Sequence, residues 1–350
     1  MLKPNPSKVN SRTILLSVVF AVLAVAVAMI SLSVGTTKLP VTDVVEVLLG
    51  GGRRGTRLVV LELRLPRVAT GLLVGIAFAV SGALLQTLSR NALASPDIVG
   101  VNSGASAGAV AVIVLAGTGG GNISGAAAKV GIPLAAVLGG LLATLIVGAL
   151  SIQRGVVDAG RVVLIGVGIA AAANSLVAWL LVIGDVNDAG RAAAWLAGSL
   201  NARAWSDAVP VSLAVLLLVP VAMMFNRDLS ALALGDDVAS SLGVRVARVR
   251  LALLVIATVL AAMATAGAGP IAFVALVAPQ VALRLTRMER PPLLTTAMLG
   301  ALFVVLADLL ARNGLQWLQV GPYELPVGVL TAAAGAPYLL YLIGRQQKGR

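Results

Sequence analysis

Stretches of about 20 mostly apolar residues recur along the whole of this chain of 350 residues. A helix needs about 20 apolar residues to cross the hydrocarbon core of a bilayer, because each residue advances it by about 1.5 Å. The composition agrees, since 11% of the residues are charged, whereas a soluble domain carries about 25%. We therefore predict an all-α polytopic membrane protein with about ten transmembrane helices. The predicted spans are residues 14–34, 68–89, 98–117, 130–151, 162–183, 207–225, 249–268, 270–286, 293–311 and 323–343.

The chain lacks the side chains on which most enzymes and metal sites depend. It contains no Cys and no His, so it offers no thiolate ligand, no imidazole ligand and not the usual general base. It also lacks the G-x-x-x-x-G-K-[ST] loop that cradles nucleotide phosphates. An intramembrane enzyme would need clustered acids or a nucleophile with its base, and the sequence shows neither. We therefore expect no catalytic residue, no metal site and no cofactor in this chain.

The distribution of Lys and Arg predicts the orientation, because cytoplasmic loops of membrane proteins are enriched in both. With the N-terminus inside and the spans alternating, most of these residues fall inside, and both termini are cytoplasmic. This bias accounts for the net charge of +12; no basic stretch carries interleaved aromatics that could stack on bases, so nucleic acid is not an expected partner. The first apolar stretch exceeds the signal-peptide core of about 7–15 residues, so we expect a retained span. One predicted extracytoplasmic segment, 35–67, breaks the rule with Arg53, Arg54, Arg57, Arg64 and Arg67.

Residues 226–248 form the one predicted inside segment long enough to fold by itself. Its apolar positions recur with helical spacing, and Gly235 and Gly243 interrupt them, which predicts one or two short amphipathic helices. Asp236 and Asp237 would lie at a helix N-terminus, where negative charge is favourable. Such a compact helical projection is typical of a docking element for a soluble partner. A plain surface loop is the alternative.

Asp308 lies inside a predicted span, near the outer end of the ninth, whereas the other acidic residues lie outside the spans or, as Asp207 and Glu324, within the first two positions of one. Arg312 follows four residues later on the same helix face and is a possible ion-pair partner. The spans contain no chain of buried ionisable groups, which ion-coupled carriers generally need. An ion-coupled secondary transporter is therefore the less favoured alternative. An external ATPase that acts on the 226–248 segment fits both this absence and the missing nucleotide-binding loop.

Six ordered blocks of sequence resemble the FecCD family of ABC permeases, which includes the importers of iron-siderophore complexes, heme and cobalamin. The first block contains R-L-P-R, S-G-A-x-x-Q, N-A-L-A-S-P and G-x-x-x-G-A, and the similarity extends over nearly the whole chain. The six blocks are Leu63–Gly108, Ala192–Leu200, Leu232–Val244, Gly269–Gln280, Ala307–Arg312 and Glu324–Pro337.

The resemblance implies the type II ABC importer permease fold, with residues 1–350 as a single transmembrane domain. It implies assembly with a second permease, of identical or sister sequence, and with two cytoplasmic ATPases that bind ATP and Mg. An extracytoplasmic binding protein would deliver the substrate, and the complex would lie in a bacterial cytoplasmic membrane. A ferric siderophore is the expected substrate, with heme and cobalamin as alternatives within the family.

The resemblance also implies roles for particular residues. Arg64, Arg67 and Arg312 match outward arginines that grip acidic residues of the binding protein, with interfacial anchoring and pairing with Asp308 as the alternative roles. Asn91 and Leu93 match a cytoplasmic gate, although Ala92 replaces the usual proline between them. Residues that match the coupling helices inserted into the ATPase are Leu232, Leu234, Gly235, Asp236, Asp237, Ala239, Leu242 and Gly243.

A second departure from the family pattern lies at the inner end of the eighth predicted span. Gln280 stands where relatives commonly have histidine, and Leu283 where they have arginine, with Arg284 one position later. The local contacts at this end therefore have to come from the structure.

Overall fold

We describe the protein from a computed structural model. It describes residues 6–35, 37–118, 126–153, 156–157, 159–317, 319, 321 and 323–348. Apart from a two-residue antiparallel ribbon of β1 (Ile152–Gln153) and β2 (Val156–Val157), every regular element in these ranges is helical. The helices are α1 (Pro6–Ser33), α2 (Val41–Leu48), α3 (Arg54–Arg57), a π-helical segment (Leu58–Arg64), α4 (Leu65–Ser89), α5 (Val101–Thr118), α6 (Ala126–Ser151), α7 (Ala159–Ile183), α8 (Val186–Leu196), α9 (Trp205–Met224), α10 (Asn226–Leu234), α11 (Asp236–Ser241), α12 (Val246–Ala268), α13 (Val274–Thr286), α14 (Leu293–Trp317) and α15 (Val327–Lys348).

Each predicted span overlaps one of these helices. Within the described ranges, seven helices are long and apolar enough to cross a bilayer, and three shorter apolar helices occupy the third, eighth and tenth predicted spans. These three are Val101–Ala116, Val274–Thr286 and Val327–Tyr341. The prediction of an all-α protein with about ten membrane helices is confirmed.

The helix α4 lies at the centre of the bundle, and α9, α12, α13 and α14 pack around it. None of the other long spans has as large a buried share. Close contact between backbones requires glycine at two crossings: a Cβ on Gly82 would lie 1.7 Å from the carbonyl oxygen of Ala275, and one on Gly75 would lie 2.3 Å from that of Gly300. Small residues of this kind let membrane helices pack without intervening side chains.

The second span begins much earlier than its apolar stretch predicts. A continuous helix runs from Arg54 to Ser89, so much of segment 35–67 is helical rather than looped. Val60 from this extension packs with Val44 and Val47 of α2, which stabilises the extension against the bundle. The π-helical segment lies just before Pro66, whose ring clashes with a regular helical carbonyl four residues back and which has no N–H to donate.

The two short helices predicted in residues 226–248 are present as α10 and α11. Gly235 separates them with φ of 123°, a conformation that favours glycine, and Gly243 follows α11 with φ of 84°. Leu229 and Leu232 are buried against the bundle, whereas Leu242 is exposed. We call α10 and α11 the hairpin and this end of the bundle the hairpin end. The other end, which carries α2, α3 and α8, is the opposite end.

Candidate functional site

At the opposite end, Asp308 forms a buried ion pair with Arg67. The Arg67 guanidinium donates from Nε to Asp308 Oδ2 at 3.0 Å and from Nη2 to Asp308 Oδ1 at 2.9 Å. The two residues are 8% and 3% exposed. A charge within a span is stable when an opposite charge and hydrogen bonds compensate it. The third donor of Arg67, Nη1, contacts Glu324 Oε2 at 3.0 Å.

The sequence-based pairing of Asp308 with Arg312 is wrong in this structure. Arg312 Nη2 instead donates to the carbonyl of Ser31 at 2.6 Å and to its hydroxyl at 3.2 Å. The α4–α14 packing brings Arg67 to Asp308 with two parallel hydrogen bonds, a geometry that guanidinium favours. Arg312 Nε is buried without an acceptor within the described residues.

Arg64 is buried and holds the end of α1. Its Nη1 donates to the carbonyls of Leu32 at 2.7 Å and Ser33 at 3.2 Å, and its Nη2 donates to that of Thr37 at 2.6 Å. The last carbonyls of a helix have no partner within the helix, and a cation near them is favourable. Gly35 makes room for this contact, because a Cβ there would lie 2.8 Å from Arg64 Nη2.

The three predicted docking arginines therefore converge on one cavity, although two of them are buried. Arg64, Arg67, Arg312 and Glu324 line this cavity of about 370 Å³ together with Asn201 and other residues; we call it the arginine cavity. The outward orientation implied by the resemblance is not what this conformation shows for Arg64 and Arg67, whose guanidinium groups have intramolecular partners. The docking role itself remains a prediction. Glu324 was not identified from the sequence as a member of this group.

At the hairpin end, Asp236 bridges two arginines from different helices. Its Oδ1 and Oδ2 accept from Arg250 Nη2 at 2.8 and 3.0 Å, and its Oδ1 also accepts from Arg90 Nη2 at 3.3 Å. Asp236 is the first residue of α11, Arg250 lies in α12, and Arg90 caps the C-terminus of α4 in the left-handed conformation. This three-residue group, which we call the latch, joins the hairpin to both helices.

A further arginine joins α10 to the connection between α13 and α14. Arg290 Nε donates to the hydroxyl of Ser230 at 3.0 Å, and its Nη2 donates to the carbonyl and side-chain oxygens of Asn226 at 3.0 and 3.1 Å. Burial lowers the pKa of the Arg290 guanidinium from its usual value. The hairpin is thus held at both of its helices by cations from the bundle.

The predicted gate residues lie in the turn that follows the latch arginine. The side-chain oxygen of Asn91 accepts from the backbone N–H of Leu93 at 2.9 Å, a local turn that asparagine commonly forms. This hydrogen bond fixes the turn although Ala92 replaces proline. Asn91 and Ala92 border a cavity of about 220 Å³ that also contacts Ala233 of the hairpin. The gate function of Asn91 and Leu93 remains a prediction.

A second acidic group lies where the chain re-enters the bundle before α5. Asp97 Oδ1 accepts from Asn102 Nδ2 at 2.5 Å, and the hydroxyl of Thr265 lies 2.9 Å from Asn102 Oδ1. Burial raises the pKa of Asp97 to about 6, and the hydrogen bond from Asn102 opposes this shift. This group could not be identified from the sequence, because Asp97 falls between two apolar stretches.

The departures at residues 280 and 284 have local partners. Gln280 Nε2 donates to Gln86 Oε1 at 2.7 Å, and Gln86 Nε2 donates to the carbonyl of Leu276 at 3.2 Å, which links α4 with α13. Arg284 lies over the rings of Tyr338 and Tyr341 of α15, 5.5 and 5.7 Å from their centroids. The part of the chain that the structure describes holds no group of three acidic residues suited to a metal ion.

The chain is similar to transport permeases over nearly its entire length. Residues 21–345 match the FecCD transport family. The ferric enterobactin transport system permease protein FepG of Escherichia coli is 39% identical over 339 residues, which cover 97% of this chain and 98% of the relative. The iron(3+)-hydroxamate import system permease protein FhuG of Bacillus subtilis is 36% identical over 344 residues, which cover 96% and 98%.

A solved structure shares the fold. It shows a metal-chelate type ABC transporter in an inward-facing conformation, matches with a TM-score of 0.80 at 28% sequence identity, and covers 94% of this chain and 98% of its own. The helical architecture and the family match therefore agree, and this chain belongs to the FecCD transport family.

Proposed function

We propose that this chain is the membrane-spanning permease subunit of an ATP-driven importer that carries a ferric siderophore across a bacterial cytoplasmic membrane. The full-length similarity to permeases of ferric enterobactin and iron-hydroxamate systems carries the proposal. In this assignment the hairpin end faces the cytoplasm with both termini, and the opposite end faces outward. The distribution of Lys and Arg supports this orientation.

The hairpin is the surface on which a cytoplasmic ATPase would act. Its buried residues attach it to the bundle, and Leu234, Val238 and Leu242 have exposed apolar side chains. Contiguous exposed apolar patches often mark protein–protein contacts. The ATPase, and not this chain, would bind ATP and Mg.

The arginine cavity is the surface that would receive the extracytoplasmic binding protein. It gathers three cations at one end of the bundle, and guanidinium groups are well suited to binding carboxylates of a partner protein. A second permease, of identical or sister sequence, would complete the path for the chelate.

Transport by the purified complex tests this function. The permease, the ATPase and the second permease would be reconstituted in vesicles with the matching binding protein. Uptake would then be measured separately for iron-55 complexes of single siderophores, for heme and for cobalamin. We expect uptake of one ferric siderophore that requires ATP and is blocked by vanadate. Uptake driven by an ion gradient without ATP, or uptake of heme or cobalamin alone, would overturn the proposal.

A matched cellular experiment uses the same chain. A strain without the gene is grown under iron limitation on single siderophores, and wild-type and Leu242→Asp chains are returned to it. We expect growth on one siderophore to depend on the wild-type chain. Unchanged growth on every ferric chelate would contradict the function.

A further inference from the structure

Arg67 forms ion pairs with two carboxylates at the opposite end, and these carboxylates differ in their exposure to solvent. Asp308 accepts from Nε and Nη2 in a pair that is nearly inaccessible to water. Glu324 accepts from the third guanidinium nitrogen, Nη1, at 3.0 Å, and its side chain is 37% exposed. Of the two carboxylates bound to Arg67, Glu324 is thus the one with access to solvent.

The two pairs also differ in how readily they separate. Separating Asp308 from Arg67 would leave the Asp308 carboxylate buried without an opposite charge, which is costly, and Arg67 with Glu324 as its one ion-pair partner among the described residues. Removing Glu324 would expose a carboxylate that water can solvate, and ion pairs of this partly exposed kind contribute little. Arg67 would keep Asp308 as its buried partner throughout. The contact with Glu324 can therefore be exchanged without disrupting the bundle.

Among the described residues, the cavity around Glu324 is lined by three guanidinium groups and one carboxylate. Arg312, in the same cavity, has a buried Nε without an acceptor within the described residues. Arg64 lines the cavity as well, but backbone carbonyls take its Nη groups. A carboxylate that entered from solvent would find Glu324 already bound to Arg67 Nη1, whereas Arg312 Nε is buried and would bind it only after a local rearrangement.

We propose that Glu324 is an internal competitor for this position, and that an acidic side chain of the docking protein displaces it from Arg67. The inference rests on the proposed function, in which a binding protein docks at this end. Docking is then an exchange of one carboxylate for another at Arg67 Nη1. The exchange limits the affinity of docking and so favours release of the binding protein after delivery.

The exchange would also change the contacts of the segment that leads into α15. Glu324 lies in the short segment that precedes this helix, and the backbone N–H of Leu325 donates to the carbonyl of Ala311 in α14 at 3.0 Å. Gly328 at the start of α15 donates to the carbonyl of Gly198 at 3.1 Å. Release of Glu324 removes one of the contacts that hold this segment to α4.

The test is the affinity of the binding protein for the complete transporter in nanodiscs, measured at several salt concentrations. Glu324→Gln keeps the shape of the side chain but removes the competing charge, and we expect it to tighten binding about fivefold. Glu62→Gln is the matched control, because Glu62 is an exposed carboxylate at the same end. We expect this control to change the affinity by less than about twofold, because salt screens an exposed charge that does not compete for the arginines.

The outcomes separate the two proposals. If the wild-type transporter binds the protein but Glu324→Gln leaves the affinity unchanged, weakens it, or acts no differently from Glu62→Gln, the exchange is refuted and the proposed function stands. If the wild-type transporter binds no such protein, the proposed function fails first. Glu324→Ala provides a second variant, and it must also tighten binding if the carboxylate is the competitor.

Discussion

Replacing Asp236 by asparagine removes the charge that joins the hairpin to α4 and α12. The contact with Arg250 is short and partly shielded, with side chains that are 16% and 37% exposed, whereas the contact with Arg90 is longer and more exposed. Exposed ion pairs contribute about 0–1 kcal/mol each. We therefore expect Asp236→Asn to weaken the attachment of the hairpin by about 1–2 kcal/mol, which leaves the fold intact.

The functional effect should exceed the effect on stability, because the latch lies between the hairpin and the turn that contains Asn91. A loss of about 1.4 kcal/mol changes an equilibrium constant tenfold. The detached form of the hairpin would therefore be more populated, and movement of the hairpin would displace α4 and α12 less often. In vesicles that contain the complete transporter, we expect ATP hydrolysis to persist while the amount of chelate transported per ATP falls severalfold. Both rates are measured on the same preparation.

Asp237→Asn is the control, because Asp237 is the exposed neighbour of Asp236 at the same helix N-terminus. Any general effect of negative charge on α11 appears in both variants. The reasoning is refuted if Asp236→Asn transports as much chelate per ATP as the wild type, or if the amount of chelate transported per ATP falls equally in both variants.

Three other predictions concern single positions. Arg67→Met alone should lower the free energy of unfolding of the solubilised protein by about 3–5 kcal/mol, because it leaves Asp308 buried without this partner. Asp308→Leu should cost less, because Arg67 keeps Glu324 as a partner, and the double variant should lose less than the sum of the two. Thermal unfolding in detergent measures this, and additive losses would contradict it. Leu242→Asp should reduce co-purification of the ATPase without unfolding the chain, because Leu242 is exposed. Leu232→Asp should instead unfold the hairpin, because Leu232 is buried. Full co-purification of the ATPase with the Leu242→Asp variant would rule out docking at Leu242. Burial raises the pKa of Asp97 to about 6, so the folded state favours its protonated form. Its contribution to the free energy of unfolding therefore falls by at most about 3 kcal/mol as the pH rises from about 4 to 6. The free energy of unfolding of Asp97→Asn should depend less on pH over this window, and an unchanged profile would exclude Asp97 as the cause.

The sequence predicts the spans well because the physical requirement is local. In a bilayer each helix must satisfy its own backbone hydrogen bonds and cover itself with apolar side chains, and both properties can be counted along the chain. The hairpin is equally local, since Gly235 and Gly243 interrupt a helical pattern at the positions where the helices end. The start of the second span, in contrast, depends on a tertiary contact with another helix. Its charged first turns are helical because Val60 packs against α2.

The ion pairs show where local reasoning fails. The spacing of Asp308 and Arg312 on one helix predicts a pair, but the buried carboxylate instead contacts Arg67 on α4. That contact depends on how closely α4 and α14 approach at Gly75 and Gly300, and no periodicity in either helix encodes that distance. The role of Glu324 depends on the same crossing.

The helix α4 connects the two candidate sites physically. Arg67 lies in its first turn and contacts Asp308 and Glu324, while Arg90 caps its last turn and contacts Asp236. Between them, backbone contacts at Gly75 and Gly82 leave no flexible side chains to absorb a displacement. A shift imposed on the hairpin end of α4 must therefore move its other end, break the latch, or slide α4 past α13 and α14 as a unit. The first and third of these carry motion from the hairpin end to the arginine cavity, and both require that the latch stays intact.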